Sequence, residues 1–96
     1  MKKTFKLKVE NKNIDRQADA IKGEVKKYLK RERSKKLPES FDRWEFDCRI
    51  GESAEKHHTI KSENINKGID DCVKKDFESF YLEILARPAV KPEKIK

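Results

Sequence analysis

Residues 41–51 read FDRWEFDCRIG. Trp44, Phe46, Cys48 and Ile50 fall at every second position, and Arg43, Glu45, Asp47 and Arg49 fill the gaps. An extended backbone therefore turns four apolar side chains one way and four charged ones the other, which predicts a strand with one face on a core and one face in water. The same period recurs twice. TFKLKVE (4–10) sets Phe5, Leu7 and Val9 against Lys6, Lys8 and Glu10, and SFYLEILA (79–86) sets Phe80, Leu82, Ile84 and Ala86 on one side. In this last run Tyr81 and Leu85 make the second side half-apolar, as expected of a strand inside a sheet rather than at its edge. GESAE reads as a turn, after which KHHTIK (56–61) is expected to return as a short strand.

Between these strands the apolar spacing changes to threes and fours. Asn13 offers a helix N-cap with Asp15 in the first turn, and Ile14, Ala18, Ile21, Val25, Tyr28 and Leu29 form a helical stripe. Glu32 then falls in line with the stripe and ends it, and Pro38 disfavours a helical Leu37, so the last turns are expected to project beyond the core. Ser62 is the expected cap of a second helix carrying Ile65, Ile69, Cys72 and Val73. Asp76, in KKDFES, stands where a glycine is the usual helix terminator. Pro88 and Pro92 are expected to close the last strand into a tail, ARPAVKPEKIK.

The element order predicts an α+β fold: a ferredoxin-like split βαβ two-layer sandwich, with two helices on one face of a mostly antiparallel sheet. Without KHHTIK the alternative is a three-stranded βαβαβ sheet. The expected organisation is a single domain over residues 1–88 and a flexible basic C-terminal tail over 89–96. Neither topology implies a function, because such sandwiches carry many unrelated activities.

At 96 residues there is room for one two-layer core, and with 45% charged against 34% apolar residues folding depends on good patterning. No run approaches the roughly 18 apolar residues of a membrane span, and MKKTFKLKVE alternates lysines with apolar residues where a signal peptide would have its apolar stretch. A cytoplasmic protein without membrane contact is expected. Cys48 and Cys72 lack CxxC spacing and read as buried thiols.

Chemistry-bearing patterns are few. His57 and His58 are adjacent, so on a strand they face opposite sides and cannot share a metal without a bend. Cys48 could meet His58 across a hairpin, or Asp70 or Asp71 could orient a histidine, but the spacing fits no catalytic or metal motif. GxxxxGK[ST], GxGxxG, HExxH and GxSxG are missing from a chain with three glycines. No enzyme activity, catalytic residue, metal or cofactor is expected.

The strongest asymmetry is KKYLKRERSKK (26–36). Lys26, Lys27, Lys30, Arg31, Arg33, Lys35 and Lys36 oppose only Glu32, a net +6 within a chain whose formal charge is +7. Lys22, Lys26, Lys30 and Arg33 lie on one ridge of the helix, and Lys27 and Arg31 on another. Cations in the last turn gain about 0.3–1 kcal/mol each from the helix dipole, which accounts for Arg33, Lys35 and Lys36 but not for Lys26, Lys27 and Lys30. Like charges at i, i+4 cost a helix a few tenths of a kcal/mol, so a merely solvated face would interleave acids there. The seven basic residues are therefore the candidate site for nucleic-acid phosphates. An RNA-recognition motif is not expected, because Trp44 and Phe46 are in phase with the core and the open face carries a balanced charge set suited to salt bridges.

Taken together, DRQADAIKGEVKKYLKRERSKKLPES, WEFDCRIG, INKGIDDCV and ESFYLEILARP resemble a small bacterial family of uncharacterised proteins, a domain of unknown function, over nearly the whole chain. The resemblance implies a cytoplasmic bacterial protein with a compact α/β domain, and makes the basic helix end followed by Leu37–Glu39 a family feature. It carries no mechanism. Two function classes stay open: a non-enzymatic module contacting nucleic-acid phosphates, or a protein-interaction or self-association module that uses a sheet edge or the face of Tyr81 and Leu85 against an acidic or apolar partner. The expected state is a monomer or weak homodimer.

Overall fold

The computed structural model describes residues 1–90. Its elements are β1 (Lys2–Lys6), α1 (Ile14–Arg33), β2 (Arg43–Gly51), β3 (His57–Ile60), α2 (Ile65–Lys74) and β4 (Ser79–Ala89), with a 3-10 turn at Ser62–Asn64. The four strands form one antiparallel sheet in the order β1-β4-β2-β3. KHHTIK does supply a strand, so the four-stranded reading holds over the three-stranded one. The expected layers and element order are met, with β2 and β4 inside the sheet and β1 and β3 at its edges. Each βαβ unit is split by a strand of the other: β4 lies between β1 and β2, and β2 between β3 and β4.

Register explains the core. Cys48 opposes Ile84, Ile50 opposes Leu82, and Phe5 opposes Phe80, so these side chains share the face covered by the helices. They meet Ala18, Ile21, Val25 and Leu29 of α1 and Ile65, Ile69 and Cys72 of α2, all buried. The expected helix start also holds: the Asn13 side chain accepts from the backbone N–H groups of Asp15 (2.8 Å) and Arg16 (3.4 Å).

Four local expectations are corrected. β1 occupies residues 2–6 rather than 4–10, because its partner begins at Ser79. Beyond Lys6 the N–H groups of Leu7 and Lys8 both turn to the Glu78 carbonyl, although Leu7 still reaches the core. Ser62 caps no helix; it opens the 3-10 turn, and α2 starts at Ile65 without a side-chain cap. Tyr81 is only 8% exposed although it is on the open face. Finally, β4 passes through Pro88 to Ala89. The Ile84 N–H and C=O point to Met1, so by the two-residue period Ala86 and Pro88 face the same edge, which β1 no longer covers. A missing N–H there deletes no ladder bond. Most of the expected tail, residues 91–96, lies outside the described residues.

Asp76 does end α2. Its φ is 60°, its N–H bonds the Val73 carbonyl (3.0 Å), and the Phe77 N–H bonds the Cys72 carbonyl (3.2 Å), which together make a Schellman motif. An ion pair with Lys8 (2.8 Å) accompanies the left-handed residue.

Candidate functional site

The last two turns of α1 carry the basic segment. Burial on this helix ends at Leu29, and beyond it Glu32 is held among polar groups: its carboxylate pairs with Lys35 (2.6 Å) and accepts from the Tyr28 hydroxyl (3.5 Å). The Lys35 ammonium holds the Glu32 carboxyl below its ordinary range, while burial, and then Glu32 itself, push the Tyr28 hydroxyl up. The Ser34 hydroxyl closes the helix on the Lys30 carbonyl (2.9 Å).

The seven predicted residues divide into three groups. Lys35 is neutralised by Glu32. Arg31 lies over the Tyr28 ring (5.6 Å) and Arg33 over the Phe46 ring (5.4 Å), contacts that fix a guanidinium while keeping its charge. Lys26, Lys27, Lys30 and Lys36 are exposed and make no ion pair among the described residues. Lys22, placed on the same ridge by helical spacing, departs from it: Asp70 on α2 takes its ammonium at 2.5 Å. The free ridge therefore starts at Lys26.

The structure adds neighbours that the sequence did not assign. β2 and β4 run on past the helices, so Trp44, opposite Pro88, and Phe46, opposite Ala86, are only half-buried although they are in phase with the core. The Trp44 Nε1–H donates to the Lys35 carbonyl (2.9 Å), which pins the end of the basic segment to this corner of the sheet. A cleft of about 620 Å³ opens there, lined by Arg33, Arg43, Trp44, Phe46, Lys61 and Arg87 with Glu45 and Glu63. Strict alternation marks Trp44 as a core residue, and nothing in the sequence says how far the helices reach over it.

The open face of the sheet is a lattice of ion pairs. Arg87 bridges Glu45 (3.0 Å) and Asp47 (2.8 Å), Arg43 holds Glu45 (2.8 Å), and the buried Glu83 sits between Lys2 (3.4 Å) and Arg49 (3.9 Å). Charges so matched leave little for a base to stack on. His57 packs on Tyr81 (centroids 5.5 Å apart), so of the pair proposed as a half-apolar surface only Leu85, 46% exposed, faces solvent. The edges are guarded by Lys2, Lys3 and Lys6 on β1, by the shortness of β3 and by Pro88.

His58 opposes Ile50 and Cys48 opposes Ile60, so the two do not meet across the hairpin, and Asp70 and Asp71 are exposed on α2. Burial pushes the Cys48 thiol up to about 11 and raises Cys72 as well, which leaves neither as a thiolate near neutral pH. A second cavity, about 580 Å³ between β3 and α2, is lined by His58, Lys67, Asp71 and Cys72 among others. Among the described residues no group of three or more His, Cys, Asp or Glu side chains could hold a metal ion, and no helix is long and apolar enough to cross a membrane.

The model of a family of unknown function, DUF6172, matches residues 1–95. The chain belongs to that family. No curated protein and no solved structure matches it. Membership in DUF6172 brings no activity with it, so the functional reading rests on the geometry above.

Proposed function

We propose that this DUF6172 chain is a non-enzymatic binding module that contacts nucleic-acid phosphates through the basic end of α1. The observation that carries the reading is the set of exposed lysines that make no ion pair among the described residues, Lys26, Lys27 and Lys30 on two helical turns with Lys36 just beyond, flanked by Arg31 and Arg33. Residues at i, i+3 and i, i+4 are neighbours about 5–6 Å apart, so Lys26, Lys27 and Lys30 form a compact cationic patch. A patch of this kind positions a backbone and reads no sequence.

Contacts to three or four phosphates give a log–log salt slope of about −2.1 to −3.6, a loss of roughly 20- to 150-fold in affinity between 50 and 200 mM salt. The test is an NMR titration of labelled protein with mixed-sequence RNA and DNA at low and moderate salt. Amide shifts confined to residues 26–36 and their surroundings, fading with salt, are the expected result. Unmoved resonances at low salt would sink the reading and turn the search to an acidic protein partner.

A further inference from the structure

We infer that the nucleic acid taken by this surface is single-stranded, with a base seated against Trp44 in the cleft at the corner of the sheet. The inference deepens the phosphate-contact reading and rests on it. Three features meet at this corner. Arg33 belongs both to the basic helix end and to the cleft wall, so phosphates held along Lys26, Lys30 and Lys36 lead directly to the cleft. Trp44 and Phe46 are the aromatic walls; the Trp44 ring is oriented by its bond to the Lys35 carbonyl, and Phe46 already carries a guanidinium on its ring. Of the acids at the cleft, Glu45 is held by Arg43 and Arg87, which leaves Glu63, while Arg33 and Lys61 make no ion pair among the described residues.

A cationic track joined to an aromatic platform suits a flexible strand, since every base offers a π-face and the backbone can bend to present it. A duplex can reach the lysines but keeps its bases in the stack, and releasing one costs a few kcal/mol. The same corner therefore separates the two nucleic-acid forms without reading sequence.

Trp44 is the only tryptophan of the chain, so its emission reports the cleft directly. The experiment titrates the protein at low salt with a short oligodeoxythymidylate and with a duplex carrying the same number of phosphates, following anisotropy of the labelled nucleic acid and tryptophan emission together. Expected are quenching by the single strand, little change with the duplex, and tighter binding of the single strand. Trp44→Phe and Trp44→Leu both lose the bond to the Lys35 carbonyl, so their difference isolates stacking: Trp44→Phe keeps a ring and should bind the single strand within about threefold of wild type, whereas Trp44→Leu should bind it about 5- to 150-fold more weakly than Trp44→Phe, with the two variants binding the duplex alike. If Trp44→Leu does not fold, Lys61→Gln serves instead, with a loss confined to the single strand. Binding of both forms with unquenched Trp44 emission overturns the cleft inference while leaving the phosphate reading intact. Binding of neither form at low salt overturns both.

Discussion

Gly51→Ala is expected to destabilise this protein far more than an alanine at a β-strand end usually does. Gly51 ends β2 opposite His57, and an added Cβ would lie 2.1 Å from the Lys56 carbonyl oxygen and 2.4 Å from the His57 Cα. Both are backbone atoms, so no rotamer change relieves the overlap; β3 must move away by about 1 Å or its first pair must open. Among the described residues the glycines have no positive φ, so the effect is steric rather than conformational. Overpacking against a rigid neighbour costs about 1–3 kcal/mol, and displacing His57 from Tyr81 adds about 0.5–1.5 kcal/mol. A total near 2–4 kcal/mol lowers the melting temperature by roughly 10–30 °C in a domain of this size. Gly23→Ala is the control, because Gly23 sits on the exposed face of α1 with nothing within 4 Å of a new Cβ and should gain about 0.5–1 kcal/mol. Urea titrations of both variants, followed by circular dichroism and Trp44 fluorescence, give the two free energies. A Gly51→Ala variant within 0.5 kcal/mol of wild type, or a change of the same sign in both, would refute the close approach of β3 to β2 argued here.

Two further outcomes follow from the charge and thiol environments. Glu32→Gln removes the only acid within the basic segment and frees Lys35, so binding of single-stranded DNA at low salt should tighten about two- to threefold, with the gain disappearing at high salt; isothermal titration at two salt concentrations decides. For Cys48 the folded value near 11 lies above its ordinary 9.0, so its contribution to stability is complete below about pH 9 and is lost as pH rises from there through about 11. Cys72 shifts the same way. Unfolding free energies measured between pH 8 and 11 should fall, and Cys48→Ala should flatten the upper part of that decline. At pH 8 both native thiols should react with a disulfide reagent at least about 1,000-fold slower than in urea; rapid labelling of either one contradicts the buried placement.

The sequence by itself determined which side chains enter the core and which element each belongs to. The alternation from Trp44 to Ile50 and from Phe80 to Ala86, and the stripe from Ala18 to Leu29, are local periods set by backbone geometry, and they bury Cys48, Ile50, Phe80, Leu82, Ile84, Ala18, Ile21, Val25 and Leu29, leaving Trp44, Phe46, Ala86 and Tyr28 half-buried. The half-apolar second face of β4 likewise foretold an interior strand. Tertiary structure alone decided who stands beside whom. The order β1-β4-β2-β3, the neutralisation of Lys22 by Asp70 across 48 residues, and the passage of β4 through Pro88 along an uncovered edge depend on partners that no local period encodes. So does the corner cleft. Trp44 carries the same alternating signature as Ile50, yet it is half-buried, because the helices stop short of it and the chain after Arg33 offers it the Lys35 carbonyl. Period fixes the direction in which a side chain points, whereas the lengths of the neighbouring elements fix whether anything covers it when it gets there.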